Sequence, residues 1–285
     1  MTKVVNDSYK GTPIDNDAIK AMYMSQPQET GDAKADFPTE VIDLPSRGYF
    51  YPDGHPLASG KIELKYMTAK EEDILSSANL IKQGVVIDRL LQSLIVTKVK
   101  YDDILLMDKN AIFIAARVLA YGNDYEVQLE CPNCKTKQTE HIDLSAFDEK
   151  EVDWEVFTKG QTTYDFKLPI SKKVLSLKML THGDEKLIEE ALKAAKKVSR
   201  FTGVDPELTT RLKHMVTAVD GVADKNLVST TVDNMLSRDS LALREYLKNI
   251  TPEVSTNFHY QCGNCEHSNE KMAVPIGISF FWPGV

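Results

Sequence analysis

Cys131-Pro132-Asn133-Cys134 and Cys262-Gly263-Asn264-Cys265 are the stretches on which the reading of this 285-residue chain turns, and they hold all four of its cysteines. A C-x-x-C turn lets two thiolates converge on one metal ion. Two such turns complete the tetrahedral sulfur shell that Zn²⁺ takes at about 2.3 Å. The pattern predicts one structural zinc with Cys131, Cys134, Cys262 and Cys265 as its ligands. Two disulfides are the competing use of the same residues. The opening Met1-Thr2-Lys3-Val4-Val5-Asn6-Asp7 has no apolar signal core, which predicts a reducing cytoplasm and favours the metal.

Each knuckle follows an alternating, strand-like run, Tyr125 to Glu130 and Thr256 to Gln261. Sliding the chain on itself until Cys131 meets Cys262 also sets Leu105 on Leu236, Asp108 on Asp239, Ile112 on Leu243 and Leu119 on Ile250. In a second register, Lys65-Tyr66-Met67-Thr68 meets Lys178-Met179-Leu180-Thr181, and an acidic residue, Glu71 or Asp184, follows each threonine at the spacing of a helix cap. The expected fold is therefore α+β, with two duplicated helix-plus-zinc-knuckle halves related by a pseudo-twofold axis and sharing one four-cysteine site. The expected boundaries are an extended N-terminal arm at 1–40, a first half at 41–150, a connector hairpin at 151–173 and a second half at 174–285.

The arm is rich in Asp, Lys, Thr, Gln and Pro and has no sustained apolar period, so alone it would not offset the entropy of ordering. From Val41 the texture becomes extended and aromatic through Tyr49-Phe50-Tyr51, with Pro45 and Pro52 forbidding a helix. Those aromatics read either as a docking surface or as cover for the domain's own sheet. Helices are expected at about 70–82, 86–96, 108–121, 183–201, 206–219, 227–236 and 239–249. Strands are expected at 61–66, 138–144, 174–180 and 273–278, with a hairpin of 154–158 against 164–168. The ending Phe280-Phe281-Trp282 reads either as closure of the core or as a plug for a partner.

A formal charge of −8 opposes any general grip on phosphate backbones. The one basic run, Lys193, Lys196, Lys197 and Arg200, sits at helical spacing behind Glu189 and Glu190 and reads as a solvated face. No nucleic-acid partner is expected, and a zinc-ribbon adaptor for nucleic acid is the alternative that a basic groove beside the knuckles would favour. No apolar run approaches the ~18 residues of a membrane span. Catalytic zinc keeps an open position, whereas four thiolates fill the shell. Phosphate-loop, dinucleotide, nucleophile-elbow, zinc-protease and deaminase signatures are all absent from the sequence. His182, at a helix start, reads as a capping-region residue. The default is a protein that acts by binding.

Leu44-Pro45-Ser46-Arg47-Gly48-Tyr49-Phe50-Tyr51, then Met67-Thr68-Ala69-Lys70-Glu71-Glu72-Asp73-Ile74-Leu75, then Phe280-Phe281-Trp282-Pro283, resemble the T-even-type myophage baseplate hub family, of hub subunits and hub-assembly chaperones. The resemblance covers 41–285 and implies a structural or assembly role by protein–protein contact, with other tail baseplate or hub proteins as partners. The arm 1–40 and Phe280, Phe281 and Trp282 are the candidate contacts. The implied location is the host cytoplasm during assembly and then the virion tail baseplate. A transient chaperone absent from the mature virion is the alternative within the same family.

Overall fold

The computed structural model describes residues 37–202 and 206–281. Most of the predicted arm, and Trp282, lie outside the described residues.

β1 (Thr39–Asp43) pairs antiparallel with β2 (Lys61–Lys65), so the first strand begins inside the stretch expected to be arm. The loop between them carries Ser46-Arg47-Gly48 through a backbone crossing that tolerates no side chain at Gly48. Its φ is +77°, and a Cβ there would stand 2.3 Å from the Ala58 carbonyl oxygen. Only glycine accepts that approach. Phe50 and Tyr51 turn inward and are buried, while Tyr49 meets Trp154 in a tilted contact at 4.8 Å and the Arg47 guanidinium lies over the Trp154 ring. The aromatic stretch therefore covers the chain's own core.

Helices α1 (Ala69–Ser76), α2 (Ala78–Gln83), α3 (Val86–Leu94) and α4 (Leu106–Tyr121) follow. The single helix expected over 70–82 breaks at Ser77, whose ψ of 102° is extended. The helix expected to reach 96 stops at Leu94, because Ile95 bridges Leu64 and Val96 N–H donates to the Glu63 carbonyl at 2.9 Å. β-Branched residues favour the pleated surface where a sheet edge is in reach. β3 (Asp124–Glu130) and β4 (Lys137–Asp143) then form the first knuckle hairpin.

The connector departs from expectation. Residues 154–158 and 164–168 do not pair: Trp154–Val156 is a 3-10 turn, and β5 (Thr163–Lys167) pairs with β6 (Val174–Lys178). A boundary at 173 would cut that strand pair. α5 (His182–Thr202) and α6 (Glu207–Met215) come next, and residues 216–219, expected as helix, form β7 (Val216–Val219) on the far side of β6. Its Val-Thr-Ala-Val composition explains the switch. α7 (Lys225–Asp233) and α8 (Ser237–Ile250) lead to the second knuckle hairpin, β8 (Asn257–Gln261) with β9 (Ser268–Ala273). Beyond Ala273 the expected strand gives way, past Pro275 and Gly277, to a 3-10 turn at Ile278–Phe281.

One hydrophobic cluster runs from Leu44 through Leu90, Ile112, Leu175 and Leu243 to Phe281. Backbone bonds stitch its parts together: Leu106 N–H donates to the Leu180 carbonyl at 3.0 Å and His182 N–H to the Ile104 carbonyl at 2.8 Å. Phe280 and Phe281 are both 0% exposed. Phe113 stacks on Phe280 and meets Phe281 edge-on, and Arg117 Nε donates to the Phe280 carbonyl at 2.8 Å. Burying such a ring contributes roughly 1.5–3 kcal/mol, so these two residues belong to the core. This corrects the expectation that they serve as partner contacts.

Two motifs occur twice. Glu71 accepts from Thr68 N–H at 3.0 Å and from Lys65 Nζ at 2.8 Å, while Asp184 accepts from Thr181 N–H at 3.1 Å and from Lys178 Nζ at 2.7 Å. Asp108 and Asp239 are both 0% exposed; Asp108 anchors the loop after β1 and Asp239 the loop after β5. Asp108 accepts from Ser46 N–H (3.0 Å), Ser46 Oγ (2.7 Å) and Tyr51 OH (2.8 Å), and Asp239 from the N–H groups of Ile170 (2.7 Å) and Ser171 (3.0 Å).

Candidate metal centre

Both hairpins end in the same turn. Cys131 N–H donates to the Thr136 carbonyl at 2.9 Å and Lys135 N–H returns to the Cys131 carbonyl at 2.9 Å. In the second, Cys262 N–H donates to His267 at 2.8 Å and Glu266 N–H returns to Cys262 at 3.1 Å. Lys135 and Glu266 take the left-handed conformation that closes each turn, with φ of 62° and 55°. The tight turn aims both sulfurs of each knuckle the same way.

The four sulfurs lie within 4.8 Å of one another. Cys131 Sγ is 3.7 Å from Cys265 Sγ, and Cys134 Sγ is 3.7 Å from Cys262 Sγ. A tetrahedron with metal–sulfur bonds of about 2.3 Å has sulfur–sulfur edges of about 3.8 Å, whereas a disulfide needs about 2.05 Å. The residues therefore fit a four-sulfur metal shell and leave no disulfide. All four cysteines singled out in the sequence are brought together.

Hydrogen bonds across the centre are reciprocal. Asn133 Nδ2 donates to Cys265 Sγ at 3.5 Å, and Asn264 Nδ2 donates to Cys134 Sγ at 3.6 Å and to Thr136 Oγ1 at 3.1 Å. Gln138 ties the knuckles together, donating to the Gln261 carbonyl at 2.9 Å and accepting from Gly263 N–H at 3.0 Å. The Thr136 hydroxyl and N–H, with the Asn264 amide, bring the Cys134 thiol down to about 5, well into the range where a thiolate forms at neutral pH. Burial pushes Cys131 up, but the amides of Cys134 and Asn133 outweigh it and leave the thiol below its ordinary value. Cys265 is shifted the other way: against the Asn133 amide, burial and the neighbouring Cys134 and Cys262 thiols hold it up. Sequence reading overlooked Asn133, Asn264 and Gln138, although the shared asparagine before each second cysteine was a usable signal.

Elsewhere, His182 is buried at the start of α5, its ring 4.6 Å from Tyr101 and its Nδ1 3.1 Å from Lys109 Nζ. A groove of about 470 Å³ is lined by Tyr51, His55, Asp103, Lys178 and Thr181 among others. There the His55 ring stacks on Tyr51 and accepts from Leu57 N–H, and Asp184 holds Lys178. These contacts commit the groove's imidazole and ammonium to the fold.

The model of the family described as T4 bacteriophage base plate protein matches residues 53–282. The chain belongs to that family. The match takes in the Thr68 cap, both knuckles and the aromatic ending, and it begins just downstream of the Leu44–Tyr51 run. Neither the curated proteins nor the solved structures provide a match to this base plate protein. Among its described residues, no helix is long and apolar enough to cross a membrane.

Proposed function

We propose that this base plate protein acts by contact, as a hub component or hub-assembly factor without catalytic chemistry, and that one structural Zn²⁺ on Cys131, Cys134, Cys262 and Cys265 fastens two duplicated halves. The 3.7 Å sulfur edges carry the metal reading. Zinc is the natural occupant, because it prefers a closed tetrahedral thiolate shell and needs no redox partner. When bound, it supplies a cross-link and no reaction.

The halves run from β1 to β4 and from β5 to β9, related by a pseudo-twofold axis through the centre. Supporting this are the exchange of Cys131–Cys265 for Cys262–Cys134, the reciprocal Asn133 and Asn264 bonds, and the two Lys-Thr-acid caps. With Phe280 and Phe281 committed to the core, the candidate partner contacts that remain are the N-terminal arm and Trp282. Other baseplate proteins are the partners, in the host cytoplasm during assembly and then in the virion tail.

The test is a pull-down of tail proteins from infected cells with the full chain and with residues 1–36 deleted, a cut that leaves β1 whole. The full chain is expected to capture baseplate proteins and the truncated form to lose them while staying folded. Equal capture by both removes the arm from the account. Capture of no tail protein by either form contradicts the hub assignment.

A further inference from the structure

Among the described residues, two buried side-chain polar atoms lack a hydrogen-bond partner, His182 Nε2 and Tyr260 Oη. His182 Nε2 stands 3.4 Å from an Asp88 carboxylate oxygen, so a charge faces it. Tyr260 is 0% exposed and packs in a small cluster with Leu129, Cys131 and Cys262. The ring thus lies against both inner cysteines, while its hydroxyl has no partner in hydrogen-bond geometry.

The four sulfurs are served unequally. Cys134 and Cys265 are partly exposed, and each has a side-chain amide donor from the opposite knuckle. Cys131 and Cys262, at 0% and 1% exposed, are shut off from water, so any charge they carry must be met from within. A neutral thiol is a weak acceptor. A metal-bound thiolate is an anion, and hydrogen bonds to anions are roughly twice as strong as neutral ones. Against thiols the phenol is nearly an orphan. Against thiolates it is a buried donor packed beside the inner pair.

We propose that Tyr260 is a positioning residue for the metal centre, its hydroxyl donating to the Cys131 and Cys262 thiolates so that it helps retain the metal and counts against the fold once the metal is removed. The proposal deepens the zinc reading and rests on it. The donor is one-sided: the residue that meets Tyr260 when the knuckles are overlaid is Leu129, which has no hydroxyl.

The experiment uses the full-length protein loaded with one Co²⁺ per chain, as wild type, Tyr260→Phe and Tyr260→Leu, the last carrying the side chain of Leu129. Both variants are expected to lose metal to EDTA about tenfold faster, the size of effect usual for a hydrogen bond to a metal ligand. Their sulfur-to-cobalt charge-transfer bands should move to longer wavelength, and metal-free Tyr260→Phe should resist urea at least as well as the metal-free wild type. Unchanged retention and bands would overturn the proposal. So would a parallel loss of metal-free stability and metal retention, which marks Tyr260 as packing alone. A wild type that takes up no cobalt would overturn the metal reading itself, and this inference with it.

Discussion

Asp108 and Asp239 are both fully buried and each anchors a loop, but their surroundings differ. Asp239 meets two backbone N–H groups near Lys172, and although burial opposes it, these bonds hold its carboxyl below the usual range. Asp108 has two hydroxyls and one N–H, and burial outweighs them, pushing its carboxyl up to about 6. A folded-state value above the ordinary ~3.9 means that the folded protein binds the proton more tightly than the unfolded chain. The stabilising contribution of protonated Asp108 is then complete below about pH 4 and fades as pH rises through 6, a swing of about 3 kcal/mol. Urea unfolding of the wild type and Asp108→Asn, compared at each pH from 4 to 7, should show the difference shifting in the wild type's favour as pH falls. Taking the difference cancels the cysteine titration common to both. The four clustered cysteines were legible in the sequence because their spacing is a local property. Tyr260, Gln138 and the partners of Asp108 were not, because each acts on a residue far away in the chain.

At the scale of elements, the two Lys-Thr-acid caps bind β2 to α1 and β6 to α5. Glu71 is 0% exposed and Asp184 is 9% exposed. Removing either carboxylate leaves a partly exposed Lys and a threonine N–H short of an acceptor, at about 1–3 kcal/mol. Glu71→Ala should be the more destabilising and Asp184→Ala the less, as read by thermal unfolding. Equal and negligible effects would show that the caps do not hold the helices in place. Element types were legible wherever an apolar period was long, as in α4 and α5. They failed at Ile95 and at Val216–Val219, where β-branched residues with weak helical preference lay beside a strand offering free backbone groups. The misplaced hairpin at 154–168 has the same origin. Alternation marked β5 correctly, but its pairing partner was set by the tertiary position of β6.

For the whole molecule, the knuckles lie far apart in sequence and meet in one place, so a metal there would tie the β3–β4 hairpin to the β8–β9 hairpin. A cross-link that closes a loop on the order of 100 residues removes roughly 4–5 kcal/mol of unfolded-state freedom. The sequence made this clasp visible because all four cysteines fall into two matching turns. It left the fate of the aromatic ending open, since composition alone does not distinguish a core plug from a partner plug. The fold resolved that choice at Phe280 and Phe281 by setting them against Phe113. The claim on which the account rests is the shared metal, and X-ray absorption at the zinc edge of the purified full-length protein, with metal stoichiometry on the same sample, tests it most directly. The account predicts one zinc per chain, bound by four sulfurs at about 2.3 Å. Absence of zinc, a shell containing oxygen or nitrogen, or sulfur–sulfur bonds at about 2.05 Å would contradict it.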